Sequence, residues 1–225
     1  TGRYDANHSM DPAESFVHEV DDPSIGITTN RLTSAEYGYD GGFNTFVSPV
    51  TRGDETMKDR AASRISNDTV YRIAAKGWSL FQRLTPTNTV KSFRRTDDLV
   101  QEFLTWIDGK EDWFGWVHLM EPHHPYDPDE VNLSHAASQA ISRDAIATND
   151  PSNPKTVRDL YKQEVVETDT RLAQLWDTIP ADTQIIFTAD HGELLGEDGI
   201  WGHPGQTFHP NILKIPFATS NISVD

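Results

Sequence analysis

Apolar residues recur along this chain with two different periods, and the alternation between them predicts strands separated by helices. Ile25 and Ile27 alternate with small or polar neighbours just after Pro23, which predicts a short strand over Ser24 to Thr29. Asn44 to Val50 reads as a further strand or the edge of a loop. From Met57 to Leu84 the spacing turns helical, with Ile73, Ala74, Trp78 and Phe81 on one side, until Thr85-Pro86-Thr87-Asn88 breaks it. A cleaner helix follows, in which Thr96 or Asp97 is the cap, Leu99, Val100, Phe103, Leu104 and Ile107 form one stripe, and Gly109 is the stop. Phe114 to Met120 is apolar almost throughout, with His118 as the exception, and predicts a strand buried on both faces.

Asp127 to Pro154 is rich in Asp, Asn, Ser and Ala and carries no long apolar stripe. It reads as a surface insertion over the face that bears the site, with one short helix around His135 to Arg143. Lys155 to Ile179 has the strongest helical pattern, and Val157, Leu160, Tyr161, Val165, Leu172, Leu175, Trp176 and Ile179 mark its buried face. Pro180 ends it, and a Gln184 to Phe187 strand begins almost at once. Helix followed by strand, repeated, predicts an α/β fold built on a mostly parallel sheet with helices on both faces. At 225 residues a single domain over 1–225 is the expectation.

The last strand runs into Thr188-Ala189-Asp190-His191-Gly192-Glu193, and Trp201-Gly202-His203 follows. In an open α/β sheet ligands bind beyond the carboxyl ends of strands, which makes this run the first candidate for chemistry. Adjacent side chains on a strand point to opposite faces, so Asp190 and His191 reach one ion only if the backbone has turned, which Gly192 permits. The alternative is that Asp190 caps a helix and His191 is a plain loop residue. His123, just past Pro122, is either a donor to an anion or a loop imidazole packed on Tyr126; His124 is its less favoured neighbour. His203, between Gly202 and Pro204, is either a proton donor or a turn residue. His118 reads as a hydrogen-bonded core histidine, and Glu193 and Glu197 read as solvated carboxylates, with support of the loop around an ion as the alternative.

Composition narrows the partners. A net charge of −16 repels nucleic acid and anionic membranes, and acids spread along the chain form a solvated surface that a high-salt cytoplasm would screen. With no cysteine there are neither disulfides nor thiolate metal sites. No apolar run approaches the roughly 18 residues that span a bilayer, and no signal-like segment opens the chain.

Four segments in order resemble the sulfatase family of the alkaline phosphatase superfamily: Thr1-Gly2-Arg3-Tyr4 with His8, Tyr37-Gly38-Tyr39-Asp40-Gly41-Gly42-Phe43, the strand and loop from Phe114 to Tyr126, and Asp190-His191-Gly192 with Gly202-His203. The resemblance implies that Asp190 and His191 ligate a divalent metal ion, with Ca²⁺ or Mn²⁺ expected ahead of Zn²⁺. It implies that His123 contacts the sulfate or ester oxygen and that His203 protonates the leaving group, as catalytic residues. In these enzymes a Cys or Ser is oxidised to a formylglycine nucleophile. That motif and an Asp-Asp metal pair have no counterpart here, and neither does the small C-terminal subdomain, so the chain resembles the middle of an enzyme, incomplete at both ends and inactive in isolation. The implied function is hydrolysis of a small-molecule or carbohydrate sulfate ester by metal-assisted displacement. The alternatives are a phosphonate or phosphodiester hydrolase or phosphoryl transferase of the same superfamily, and a non-catalytic remnant that binds an anion or a partner.

Overall fold

The alternating segment after Pro23 becomes the central strand. In the computed structural model, which describes residues 9–49, 94–205 and 207–222, β1 (Ser24–Thr28) lies between β2 (Thr45–Val47) and β3 (Phe114–His118), and all three run parallel. Among the described residues four α-helices accompany them: α1 (Thr96–Ile107), α2 (His135–Thr148), α3 (Pro154–Thr178) and the short α4 (Pro210–Leu213). The parallel α/β architecture anticipated from the sequence is the one observed. The helix expected over Met57 to Leu84, the opening Thr1-Gly2-Arg3-Tyr4 segment and His8 lie outside the described residues.

All five residues of β1 are buried, and the two faces of the strand are covered differently. Ile25 and Ile27 join Leu99, Val100, Phe103, Leu104 and Ile107 of α1 and Leu172 and Leu175 of α3 in one apolar core. On the other face Gly26 stands in register between Phe46 and Trp116. A Cβ on Gly26 would sit 2.5 Å from the Phe46 ring, so its absence lets that ring lie over the strand. Phe46 and Trp116 then stack at 6.3 Å, with Phe43 and Tyr39 stacked on Trp116 as well. The glycine-rich Tyr37 to Phe43 segment therefore serves packing. β3, expected to be buried on both faces, is only half-buried, because it forms an edge of this sheet among the described residues.

The buried stripe of α3 follows the helical repeat with unexpected chemistry. Val157, Leu160, Leu172 and Leu175 are buried as expected, but the positions between them are Glu164, Glu167 and Thr168. Val165 and Trp176, expected inside, are 42% and 39% exposed. The carboxylates are inside because neighbouring backbone needs them. Glu164 Oε1 accepts the amide of Asp127, and Glu167 accepts those of Asp129 at 3.0 Å and Glu130 at 2.9 Å. Arg171, also largely buried, pairs with Glu167 and Asp129 at 3.0 Å and with Glu121 at 3.4 Å. An uncompensated buried carboxylate would cost several kcal/mol, so amides and guanidinium have to arrive together.

The same logic starts α1. Neither Thr96 nor Asp97 caps it; Arg95 occupies that position without a side-chain bond. Glu121, distant in sequence, accepts the Thr96 amide at 3.0 Å and its hydroxyl at 2.5 Å. A carboxylate at a helix N-terminus satisfies an orphan donor and opposes the positive end of the dipole.

The segment read as a surface insertion forms a packed wall. α2 extends to Thr148, past the expected Arg143, and turns Ser138, Gln139, Ser142 and Ala145 inward. Two of them, Gln139 and Ser142, bond through their side chains. Gln139 and His135 both reach the Asp127 carboxylate at 2.8 Å, and Ser142 accepts the Tyr126 amide at 2.9 Å. Asn149, in the left-handed region at φ 53°, ends α2 and accepts the Trp201 amide at 3.0 Å. Tyr126, Ala145, Val157, Leu160 and Trp201 form the second core.

The remaining strands are short. β4 (Ile185–Thr188) pairs antiparallel with β7 (Phe217–Ser220), while β5 (Leu194–Leu195) and β6 (Trp201–Gly202) form a hairpin. Among the described residues, no helix is long and apolar enough to cross a membrane.

Glu121→Ala removes the α1 cap and a partner of Arg171, and is expected to lower unfolding free energy by about 2 kcal/mol in urea. Val165→Ala, on the exposed side of α3, should stay within about 0.5 kcal/mol. Equal losses for the two would contradict this division of α3 into faces.

Candidate functional site

Two loops and a hairpin bring the candidate residues together. The first loop leaves β3 at His118 and turns sharply, with the His123 amide donating to the Met120 carbonyl at 2.6 Å. The Glu121–Pro122 and His124–Pro125 bonds within it are cis. The second loop leaves β4 and carries Asp190 and His191. Gly192 fixes it, donating to the Ile212 carbonyl at 2.8 Å, and a Cβ there would fall 1.9 Å from the Asn211 carbonyl oxygen. The close approach of two backbones, with no room for any side chain, is the reason for glycine at this position.

The hairpin supplies the third part. β5 and β6 place Leu194 opposite Gly202, which sets Glu193 beside His203. Gly196 at φ 104° and Gly199 at φ 74° allow the tight connection, Arg158 donates to the Leu195 carbonyl at 2.8 Å, and its guanidinium lies over the Trp201 ring at 5.1 Å. Glu197 also has a structural duty, accepting the Leu195 amide at 2.6 Å.

All four residues singled out from the sequence meet here. His191 lies 4.2 Å from His203 between ring centroids, and His123 lies 4.9 Å from His203. His124 completes the group at 4.4 Å from His123 and 5.3 Å from His203. Asp190 Oδ1 is 3.8 Å from His191 Nε2. His209 is apart, capping α4 through its ring and pairing with Asp198 at 3.4 Å.

Equal side chains acquire unequal character from their partners. His203 Nδ1 donates to Glu193 at 3.1 Å, and this bond raises its pKa despite partial burial. Glu193, read as a solvated carboxylate, is 7% exposed and orients the histidine. His123 moves the other way, because burial disfavours its charge. Burial and neighbouring imidazoles lower the pKa of His124 to about 4. Asp190 is held well below the usual carboxylate range, first by a hydrogen bond from His118 and then by the nearby imidazole charge of His191. His118 thus does more than fill the core. It stands 3.4 Å from the Thr28 hydroxyl at the end of β3 and ties that strand end to Asp190.

The donor set at Asp190 and His191 fits a divalent cation. The carboxylate is ionised, and His191 Nδ1 is committed to the Gly192 carbonyl at 2.8 Å, which leaves Nε2 as the ligating atom. His118, Glu193 and His124 were not singled out as site residues. In the sequence His118 stands out as the polar exception of an apolar strand and His124 as the neighbour of His123, while Glu193 stands ten residues before His203 on the far side of a glycine-rich turn.

The family model described as sulfatase matches residues 24–217. A curated protein of Haloferax volcanii, the low-salt glycan biosynthesis sulfotransferase Agl7, is 28% identical over 113 residues, which cover 44% of this chain and 24% of that protein. The alignment therefore spans about a quarter of the length of that relative.

The Glu193 contact predicts a pH effect. In chelator-treated protein, NMR titration should place the His203 pKa above 6.5, and Glu193→Gln should bring it down. The folded value is raised above the unfolded one, so the stability from this pair is fully present below pH 6.5 and is lost as pH rises through the raised pKa. An unchanged His203 titration in Glu193→Gln would remove Glu193 from this role.

Proposed function

The chain belongs to the sulfatase family, and from that premise we propose that it cleaves a sulfate ester by metal-assisted displacement at sulfur. At the coarser level the family and the relative support a sulfatase-family hydrolase or a sulfotransferase-like enzyme. The observation that carries the finer reading is the convergence of an ionised Asp190, a tautomer-fixed His191 and a carboxylate-supported His203 at the ends of two strands and a hairpin.

Each residue has a distinct task in this reading. Asp190 and His191 hold the divalent ion, which when bound draws negative charge off the sulfate oxygens. Ca²⁺ and Mn²⁺ suit the carboxylate, and the imidazole extends the range to Zn²⁺. His123 accepts a proton when the anionic ester arrives, and its Nε2–H then donates to a sulfate oxygen. His203 keeps Nδ1 on Glu193 and delivers the Nε2 proton to the departing alkoxide as the sulfur–oxygen bond breaks. The neutral imidazole left behind remains hydrogen-bonded to the Glu193 carboxylate, whose negative charge favours return of a proton from solvent to Nε2 and so restores the donor. The 225 residues contain no cysteine, and a cysteine-derived nucleophile would come from sequence outside them.

The substrate proposed is a small-molecule or carbohydrate sulfate ester. The net charge of −16 supports work at high ionic strength, where salt screens the repulsion between an acidic surface and an anionic substrate. Transfer of the sulfuryl group to a sugar hydroxyl is the second reading, supported by the printed name of the Haloferax relative. Product analysis with and without a glycan acceptor separates the two, because hydrolysis releases inorganic sulfate and transfer does not.

In catalytically active protein, His203→Ala should slow esters of basic alcohols by roughly 10²–10⁴-fold, the usual worth of a general acid. Activated aryl esters, which depart without a proton, should slow far less. Equal slowing of both substrate types would assign His203 to positioning, and unchanged rates would remove it from the mechanism.

A further inference from the structure

His123, His124 and His203 each present a ring nitrogen within 4.8 Å of the other two. No carboxylate belongs to this trio, although Asp190 and Glu193 stand close by. Three imidazoles drawn this close, with ring centroids 4.4 to 5.3 Å apart, repel one another when charged and need a reason to stay together.

We propose that His123, His124 and His203 form a binding site for a transition cation of borderline softness, such as Zn²⁺, Co²⁺ or Cu²⁺, beside the Asp190–His191 pair, whose His191 ring lies 4.2 Å from His203. An all-nitrogen donor set selects such ions over Ca²⁺ and Mg²⁺, which take oxygen.

The hydrogen bonds around the rings point the same way. His123 Nδ1 donates to the His124 carbonyl at 2.5 Å, which leaves the lone pair on Nε2. His203 Nδ1 is held by Glu193 at 3.1 Å, which does the same for its Nε2. Imidazoles that ligate metals almost always commit the other nitrogen to a carbonyl or a carboxylate in this manner, and here two rings do so independently. The third ring supplies a different observation: His124 Nδ1 is buried and has no hydrogen-bond partner. A buried polar atom left unsatisfied is costly, and a cation would satisfy it.

The geometry is close to closed. Metal–nitrogen bonds of about 2.0–2.1 Å at tetrahedral angles put ligand nitrogens about 3.4 Å apart, so nitrogens that stand within 4.8 Å of one another close by at most about 1.4 Å on loading. Three nitrogens fill three corners of a tetrahedron and leave the fourth to water or an anion.

An ion in this site takes up the Nε2 atom that the ester-cleaving reading assigns to proton delivery. Occupancy by Zn²⁺ is therefore inhibitory wherever that reading holds. The site itself stands without it, because binding is measured with no ester present.

The test is a Co²⁺ titration of the metal-free chain, followed by the visible absorption of the bound ion. Saturable binding is expected, weakened at least about tenfold by His124→Gln and by His203→Gln, since even indirect supports of a metal are worth that much. Asp190→Asn should weaken only the step that belongs to the Asp190–His191 pair and leave the step that His124→Gln weakens within about twofold. Binding that survives His124→Gln unchanged, or that Asp190→Asn abolishes, would overturn the proposal. Should His124→Gln fail to fold by circular dichroism, pulsed EPR of Cu²⁺ on the unsubstituted chain decides the matter: three coordinated imidazoles support the site and fewer overturn it. In active protein, Zn²⁺ that binds the trio without slowing turnover would remove His203 from proton delivery while leaving the cation site in place.

Discussion

The backbone amides of Asp127, Asp129 and Glu130 lie against α3 and have no strand to pair with, so side chains must satisfy them. Glu164 and Glu167 do this from the middle of the longest helix, and the rest of the active face depends on it. Once two carboxylates are committed to a loop, Arg171 has to come in beside them, and through Arg171 the network reaches Glu121 and the start of α1. The loop that carries His123 and His124 is thus held at one end by β3 and at the other by buried acids. Tyr126, 1% exposed, marks the point where the loop re-enters the core.

A second constraint runs through the hairpin. Trp201 is buried in the second core, and its amide is taken by the residue that ends α2. Two residues later comes His203, so the wall built by α2 and α3 sets where this imidazole stands. His191 reaches the same place from β4, on a loop pinned by the contact between Gly192 and α4. Three separate anchorings converge on one cluster, and each is made of backbone hydrogen bonds to side chains or to distant carbonyls.

The cluster also illustrates how identical side chains acquire different chemistry. His203 gains proton affinity from Glu193, while burial takes it from His123 and His124. The trio thereby mixes a ring that favours its proton with two that release theirs. Such a set can offer hydrogen bonds to an anion or lone pairs to a cation, according to which of them arrives.

The amino-acid sequence by itself determined the elements whose periodicity is unbroken: the stripe of α1, the alternation in β1, and the parallel α/β order. It also marked His123, Asp190, His191 and His203, because strand ends followed by proline or glycine are local patterns. Tertiary structure decided the rest. That α1 is capped by Glu121 and not by its own Thr96 or Asp97 is invisible locally, since Glu121 lies 25 residues from Thr96. On α3 the apolar Val165 faces solvent, because helical geometry places Glu164 and Glu167 on the buried stripe and the loop amides stabilise them there. Residues 127–154 are mostly exposed, and the contacts that Ser142 and Gln139 make inward have no local signature, because serine and glutamine signal burial only once their partners are in place. Spacing along a chain reports which residues share a face, and the identity of what that face meets is a property of the folded molecule alone.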